Sequence, residues 1–245
     1  MRVKHAASVL ALCLLPGVSS AGILDSAIRF WSFDGTLVDS VANTGATSQN
    51  WTSGYAVDRD GNAGGALDLG GNLDAIIVNS SSLLSSVTNY SLSIWFQMNT
   101  HNLSLGRGHL FDTKGTGNSD RDSLVGFIDN TDAGNVSEAN PEDGWLGTFS
   151  DQGLFLNEAN NQAWQHLLFA ITPSSQDIFF NGGLLSSVNY GSNSLNPTNL
   201  ESGLVFGDKS NKIGELGFNF NGSLDDIALF DRTLSASDAA ALYAA

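Results

Sequence analysis

Two segments near opposite ends of the chain each place carboxylates inside an apolar run: Phe30-Trp31-Ser32-Phe33-Asp34-Gly35-Thr36-Leu37-Val38-Asp39 and Phe220-Asn221-Gly222-Ser223-Leu224-Asp225-Asp226-Ile227-Ala228-Leu229-Phe230. An unpaired charge in an apolar interior costs several kcal/mol or more. Such carboxylates therefore sit at a strand end in water, hold a hydrogen-bond network, or bind a cation. Each alternative restricts how the two ends can be folded.

The rest of the chain reads as strands. Short alternating apolar runs recur between clusters of Gly, Asn, Asp and Ser, the pattern of an antiparallel sandwich. Strands are expected over 27–33, 75–79, 91–98, 124–128, 167–172, 177–181 and 223–230. In 91–98 the set Leu92, Ile94, Phe96, Met98 alternates with Ser93, Trp95, Gln97, so one face is expected to be core. Asn181-Gly182 suits the two positive-φ positions of a type I′ turn joining 177–180 to Leu184-Leu185-Ser186. Helix is expected only at the end, with Ser235 capping 236–243 and Asp238 opposing the dipole in the first turn. That helix is short and needs packing through Leu242 and Tyr243 to persist. The stretch 114–144 is expected to form long acidic loops around one strand.

Residues 1–21 read as a secretory signal: Arg2 and Lys4 at the start, an apolar run from Ala6 to Leu15, and Ser19-Ser20-Ala21 before Gly22. The run is too short to span a bilayer. Its removal takes two positive charges, no acid and Cys13, moving the formal net charge from −15 to −17 and leaving 224 residues without cysteine. A single domain, 22–245, held by its core rather than by disulfides, is expected. The acidity argues against nucleic acid and anionic membrane surfaces as partners and is compatible with neutral glycans or cations. Six N-x-S/T sequons, at Asn50, Asn79, Asn89, Asn102, Asn135 and Asn221, are glycan acceptors only in a host that glycosylates, and otherwise chance.

The order of landmarks resembles the laminin-G-like, concanavalin A-like lectin/glucanase superfamily. The resemblance is carried by Phe33-Asp34-Gly35 with Asp39, by Gly61-Asn62-Ala63-Gly64-Gly65-Ala66-Leu67-Asp68-Leu69 and by Tyr90-Ser91-Leu92-Ser93-Ile94-Trp95-Phe96. It continues through Trp164-Gln165-His166-Leu167, Phe180-Asn181-Gly182, and Gly222-Ser223-Leu224-Asp225-Asp226-Ile227 followed by Leu234-Ser235. It implies an all-β jelly-roll sandwich of two antiparallel sheets with a short C-terminal helix and the N- and C-terminal strands side by side. It also implies a structural calcium where the chain ends meet, at positions matching Asp34, Asp39 and Asp226; carboxylates and turn carbonyls would supply the six to eight hard oxygens calcium takes. The alternative is that Asp34 and Asp39 form Asx turns around Gly35 and Asp226 caps a backbone amide. Asp58-Arg59-Asp60-Gly61-Asn62 opens like a calcium loop, but the twelfth position is Leu69, so a solvated turn is expected.

Trp31, Trp95 and Trp164 fall in strand patterns and are expected in the core. Trp51 and Trp145 lie among polar residues; exposed, they would stack on sugar rings, and buried, they would plug the sandwich ends. His101 and His109 flank a loop at Gly106-Arg107-Gly108, His166 opens a strand, and none has zinc spacing. No catalytic residue is assigned. There is no Glu-x-Asp-x-(x)-Glu run of the kind a glycanase of this fold resembles its family by, Gln165-His166 lacks the spacing of the jelly-roll lyases, and neither a Gly-x-Ser-x-Gly elbow nor a Walker loop occurs. The expectation is a secreted, extracellular or cell-surface, non-catalytic module that binds a neutral glycan or polysaccharide, or acts in adhesion, with a structural calcium. A structural or adhesive protein binding an extracellular protein partner is the alternative, and a hydrolase or lyase comes third.

Overall fold

The computed structural model describes residues 20–70, 73–79, 87–98, 107–113, 125–129, 144–147, 153–156, 163–189, 203–208, 213–215 and 219–245. The expected signal, except its last two residues, most of the 114–144 stretch and His101 lie outside them. A short helix α1 (Ser20–Leu24) opens the described chain, and the predicted terminal helix α2 (Ala236–Tyr243) closes it. The strands between them begin with β1 (Arg29–Trp31), β2 (Val38–Asp39), β3 (Thr44–Gly45), β4 (Thr47–Gln49), β5 (Tyr55–Val57), β6 (Ala63–Gly70), β7 (Ala75–Val78) and β8 (Tyr90–Met98). They continue with β9 (Arg107–Thr113), β10 (Val125–Asp129), β11 (Gly144–Gly147), β12 (Gly153–Leu156), β13 (Gln165–Ile171), β14 (Ser175–Phe180), β15 (Gly183–Asn189), β16 (Leu204–Phe206) and β17 (Asn221–Phe230).

All but β2 and β3, which pair with each other, form the two antiparallel sheets of the expected sandwich. One runs β15-β14-β13-β8-β17-β6-β5 with β1 added on β17; the other runs β12-β11-β10-β9-β16-β7-β4. The chain ends lie side by side, with Arg29, Phe30 and Trp31 opposite Leu229, Ala228 and Ile227. Alternation fills the space between the sheets: Leu92, Ile94 and Phe96 of β8, Leu167, Phe169 and Ile171 of β13, and Leu224, Ile227 and Leu229 of β17 meet Ile76, Leu204 and Phe206 of the second sheet. Trp31 stands edge-on to Phe206, ring centroids 5.3 Å apart. At about 25 cal/mol per Å² this apolar contact is the main stabilising term.

The first sheet is buried on its other face as well. Leu168, Ala170, Phe179, Ala228 and Phe230 pack there against Ile23 of α1 and Ala239 and Leu242 of α2. This is why β8 is buried along nearly its whole length, where the sequence marks one core face. Trp95, expected in the core, belongs to this outer layer, stacked on Tyr243 at 5.6 Å. The helix is capped as predicted: Ser235 Oγ accepts from Asp238 N–H, and the Asp238 carboxylate accepts from Ser235 N–H at 2.9 Å.

The hairpin turn also follows the prediction, with Asn181 and Gly182 at φ 47° and 78° between β14 and β15. Strands also form outside the expected ranges, β6 and β9 among them. β6 is glycine-rich and β9 carries His109 of the expected loop; both are held by pairing with flanking strands, which overrides weak local propensity. Gly222 lies where β17 crosses β8 so closely that a Cβ would press on the Gln97 carbonyl and the Phe220 ring. Gly222→Ala is expected to lower stability by about 1–3 kcal/mol, the range for overpacking, read as a fall in the urea midpoint at unchanged slope.

Candidate functional site

The chemistry concentrates where β17 changes neighbours. Residues 221–224 pair with β6, residues 227–229 pair with β1, and the register against β8 jumps from Asp225↔Trp95 to Ala228↔Ser93. Three steps on β17 thus match two on β8, which is a β-bulge. Asp226 is the bulged residue, at φ 43°, a left-handed conformation rare outside glycine and typical of sites where tertiary contacts hold the backbone. Leu224 and Ile227 can then both face the interior, while both acids between them stay out of it.

The two carboxylates meet a guanidinium. Arg59 Nε and Nη2 donate to the same oxygen, Asp226 Oδ2, at 3.1 and 3.0 Å. Arg59 Nη1 donates to the Ala245 carbonyl, and the Arg59 Cζ lies 4.7 Å from the Trp95 ring centroid, a cation–π contact. Trp95 in turn packs on His166, at 5.0 Å, and on Tyr243. His166 is fully buried, with Nε2 at 2.8 Å from Ser93 Oγ. Burial first, and then the Arg59 charge, push its pKa down to about 3, so the imidazole is neutral at physiological pH.

Arg59 is presented by a turn that satisfies itself. Asp58 Oδ1 accepts from the Asp60 and Asn62 N–H groups at 2.9 and 2.7 Å, and Oδ2 accepts from Asn62 Nδ2 at 2.9 Å. Burial raises the Asp58 pKa, but these hydrogen bonds together outweigh it and the net shift is downward. The segment is a turn, as expected, though its carboxylate is buried rather than solvated. Gly65 makes room for it: a Cβ there would strike Asp58 Oδ2.

The three expected calcium ligands stand in different surroundings. Asp39 is fully buried: Oδ1 accepts from Phe30 and Val41 N–H at 2.9 Å each, and Oδ2 lies 3.2 Å from Arg29 Nε, an ion pair without hydrogen-bond alignment. Asp34 is exposed, at the turn where Phe33 takes φ 56° and Gly35 N–H reaches the Gly64 carbonyl at 3.0 Å. Its charge acts on Asp226, as does that of Asp60. Among the described residues no group of three or more His, Cys, Asp or Glu side chains is placed to hold a metal ion. Asp39 and Asp226 already carry arginine partners, so Asp34, Asp39 and Asp226 do not fit a calcium cage, which needs uncommitted oxygens. Sequence reasoning missed Arg59. Its signal was a single basic residue between two acids in a chain with ten basic and twenty-five acidic residues.

The two candidate glycan aromatics are far apart. Trp51 follows β4, half-buried, its Nε1 donating to the Asp68 carbonyl at 2.7 Å and its ring edge-on to Tyr55 at 5.3 Å. Trp145 lies within β11 rather than in a loop, opposite Asp129 and Phe155. Between β4 and β11 the sheet order places β7, β16, β9 and β10. At about 4.8 Å per strand the two are separated by roughly 20 Å or more, so they do not grip one sugar ring together.

A sequence profile of the laminin-G-like family, in the concanavalin A-like lectin/glucanases superfamily, matches residues 70–240. No curated protein sequence matches. Among solved structures, the chain is similar to domain 4 of AbnA, a GH43 extracellular arabinanase from Geobacillus stearothermophilus, in complex with arabinotriose: 20% identity, TM-score 0.58, covering 89% of this chain and 98% of that one. It is also similar to the receptor-binding domain of botulinum neurotoxin mosaic serotype C/D, with 16% identity, TM-score 0.63, and 91% and 51% covered. The botulinum neurotoxin serotype D ligand-binding domain in complex with N-acetylneuraminic acid matches with 17% identity, TM-score 0.61, and 92% and 52% covered. The chain thus spans about half the length of these toxin fragments and nearly all of the arabinanase domain. At these identities the likeness concerns the fold.

Asp225 supplies a pH test of the site. Burial, and then the neighbouring Asp226 charge, raise its pKa to about 8. An aspartate in the unfolded chain titrates near about 3.9. Between about pH 4 and 8 the native state therefore holds a proton that the unfolded chain has lost, so stability falls as pH rises through that window and levels off above it. In Asp225→Asn its share of this slope is lost, and the melting temperature at pH 8.5 rises above that of the unaltered protein. Parallel thermal melts from pH 4.5 to 9 check it, and identical slopes would refute the assignment.

Proposed function

This chain belongs to the concanavalin A-like lectin/glucanases superfamily, and from that premise we propose that it is a secreted, extracellular or cell-surface, non-catalytic module that binds a neutral glycan or polysaccharide. The observation that carries this reading is the match over nearly the full length of an isolated arabinanase domain whose structure holds arabinotriose. A formal net charge of −15 disfavours polyanions and leaves neutral sugars. Sugar rings present an apolar C–H face, and Trp51 and Trp145 are the aromatic platforms, with their spacing suited to two stretches of a long polymer rather than to one monosaccharide. No helix among the described residues is long and apolar enough to cross a membrane.

A protein partner is the second reading, and one feature favours it. Strand β15 is an edge of the first sheet and exposes Leu184, at 57%, and Leu185 without a charged residue along its length. Edge strands that lack charge or proline invite pairing with another chain.

A glycan and polysaccharide array discriminates the two. Binding confined to one class of neutral glycan is expected, with Trp51→Phe preserving it and Trp145→Ala or Trp51→Ala weakening it tenfold or more by isothermal titration. Silence on every spot, with a folded protein, would overturn the glycan reading and leave the edge strand as the functional surface.

A further inference from the structure

Three arginines with described side chains each close on an aspartate: Arg29 on Asp39, Arg59 on Asp226 and Arg232 on Asp238. Arg59 differs in what surrounds it. Its charge acts on both Asp225 and Asp226, and the charges of Asp58, Asp34 and Asp60 act on the same pair. Within this acidic neighbourhood the guanidinium is the cation that closes on a carboxylate, through two hydrogen bonds to Asp226 Oδ2.

We propose that Arg59 is the built-in counter-cation of the junction between the chain ends: its guanidinium takes the part that the family resemblance assigns to calcium, and the junction closes without a metal. Three features of the geometry support this. All three guanidinium nitrogens are engaged, two on Asp226 Oδ2 and one on the Ala245 carbonyl, while the plane lies against Trp95. One side chain therefore joins the 58–62 turn, β8, the β17 bulge and the residues after α2, the multi-point linkage a structural ion provides. A planar fork with five donors suits this task, whereas an ammonium would lose the contact with the ring plane.

The turn itself is built to hold Arg59 in place. Asp58 turns its carboxylate inward onto Asp60 and Asn62, and Gly65 leaves the space it occupies. Arg59 is consequently 14% exposed and Asp226 21%, the pairing lying mostly out of water. A divalent ion at Asp226 would have to displace the guanidinium and leave it facing a second cation. Asp39, the fully buried carboxylate of the expected trio, also faces an arginine, Arg29, at 3.2 Å, in an ion pair without hydrogen-bond alignment.

Thermal melts of the purified protein in excess calcium and in excess chelator, for the unaltered chain, Arg59→Met, Arg59→Lys, Asp226→Asn and Arg59→Met/Asp226→Asn, test this. The unaltered chain is expected to melt at the same temperature in both buffers. Arg59→Met lowers that temperature by about 5–10 °C, because it leaves a mostly buried carboxylate uncompensated. Asp226→Asn in the same chain recovers at least half of the loss, and Arg59→Lys recovers less than half. A chelator-reversible rise of several degrees on adding calcium to the unaltered chain would overturn the proposal, and that measurement needs no variant to fold. So would a double variant no more stable than Arg59→Met.

Discussion

Strand β17 has one neighbour on one side and two on the other, and the passage from β6 to β1 happens at Asp225 and Asp226. A regular strand that sends Leu224 inward would also send Asp226 inward and turn Ile227 out. The interior would then hold a carboxylate and lose an apolar contact with Trp31 and its neighbours. The bulge removes that conflict by inserting one residue, at the cost of a left-handed Asp226. Everything near the chain ends follows from it. β1 can dock on β17, the acids collect on the outer face, and Arg59 closes on Asp226 there.

The outer face is the second consequence. In a two-sheet sandwich an exposed sheet face is normally polar, yet here Leu168, Ala170, Phe179, Ala228 and Phe230 form a second apolar layer under α1 and α2. Arg59, Trp95, His166 and Tyr243 stand at its border with the acidic cluster. The neutral, buried imidazole and the stacked rings exclude water from one side of the Arg59–Asp226 pair, which strengthens it relative to a surface ion pair. Packing of the helix and neutralisation of the bulge are therefore coupled through the same few side chains.

For function, the junction and the candidate glycan aromatics belong to different regions. Trp51 is tied into the body of the domain through Asp68 and Tyr55, and Trp145 sits on a strand near the opposite edge of the second sheet. Under the proposed reading the junction is a structural device, and glycan binding falls to surfaces away from it. That division suits a fold that hosts lectins, adhesion modules and hydrolases alike, because the surface residues vary while the frame stays.

Much of this was legible in the amino-acid order because the signals are local. Alternation in 91–98 has a period of two, Asn181-Gly182 tolerates positive φ, and Ser235 with Asp238 completes a capping box three residues apart. The sandwich pattern and the terminal helix follow from such signals taken in order, while the pairing of the chain ends was implied by the family resemblance. What the sequence could not determine is which distant charge would meet which. Arg59 and Asp226 are 167 residues apart, and nothing in either neighbourhood names the other. The burial of Trp95 under the last helix and the separation of Trp51 from Trp145 across the second sheet are likewise properties of the assembled layers. Sequence by itself determined the local conformations, since those depend on neighbours within a few residues; only the tertiary structure decided how the buried charges are compensated, since that depends on what the folded chain brings within reach.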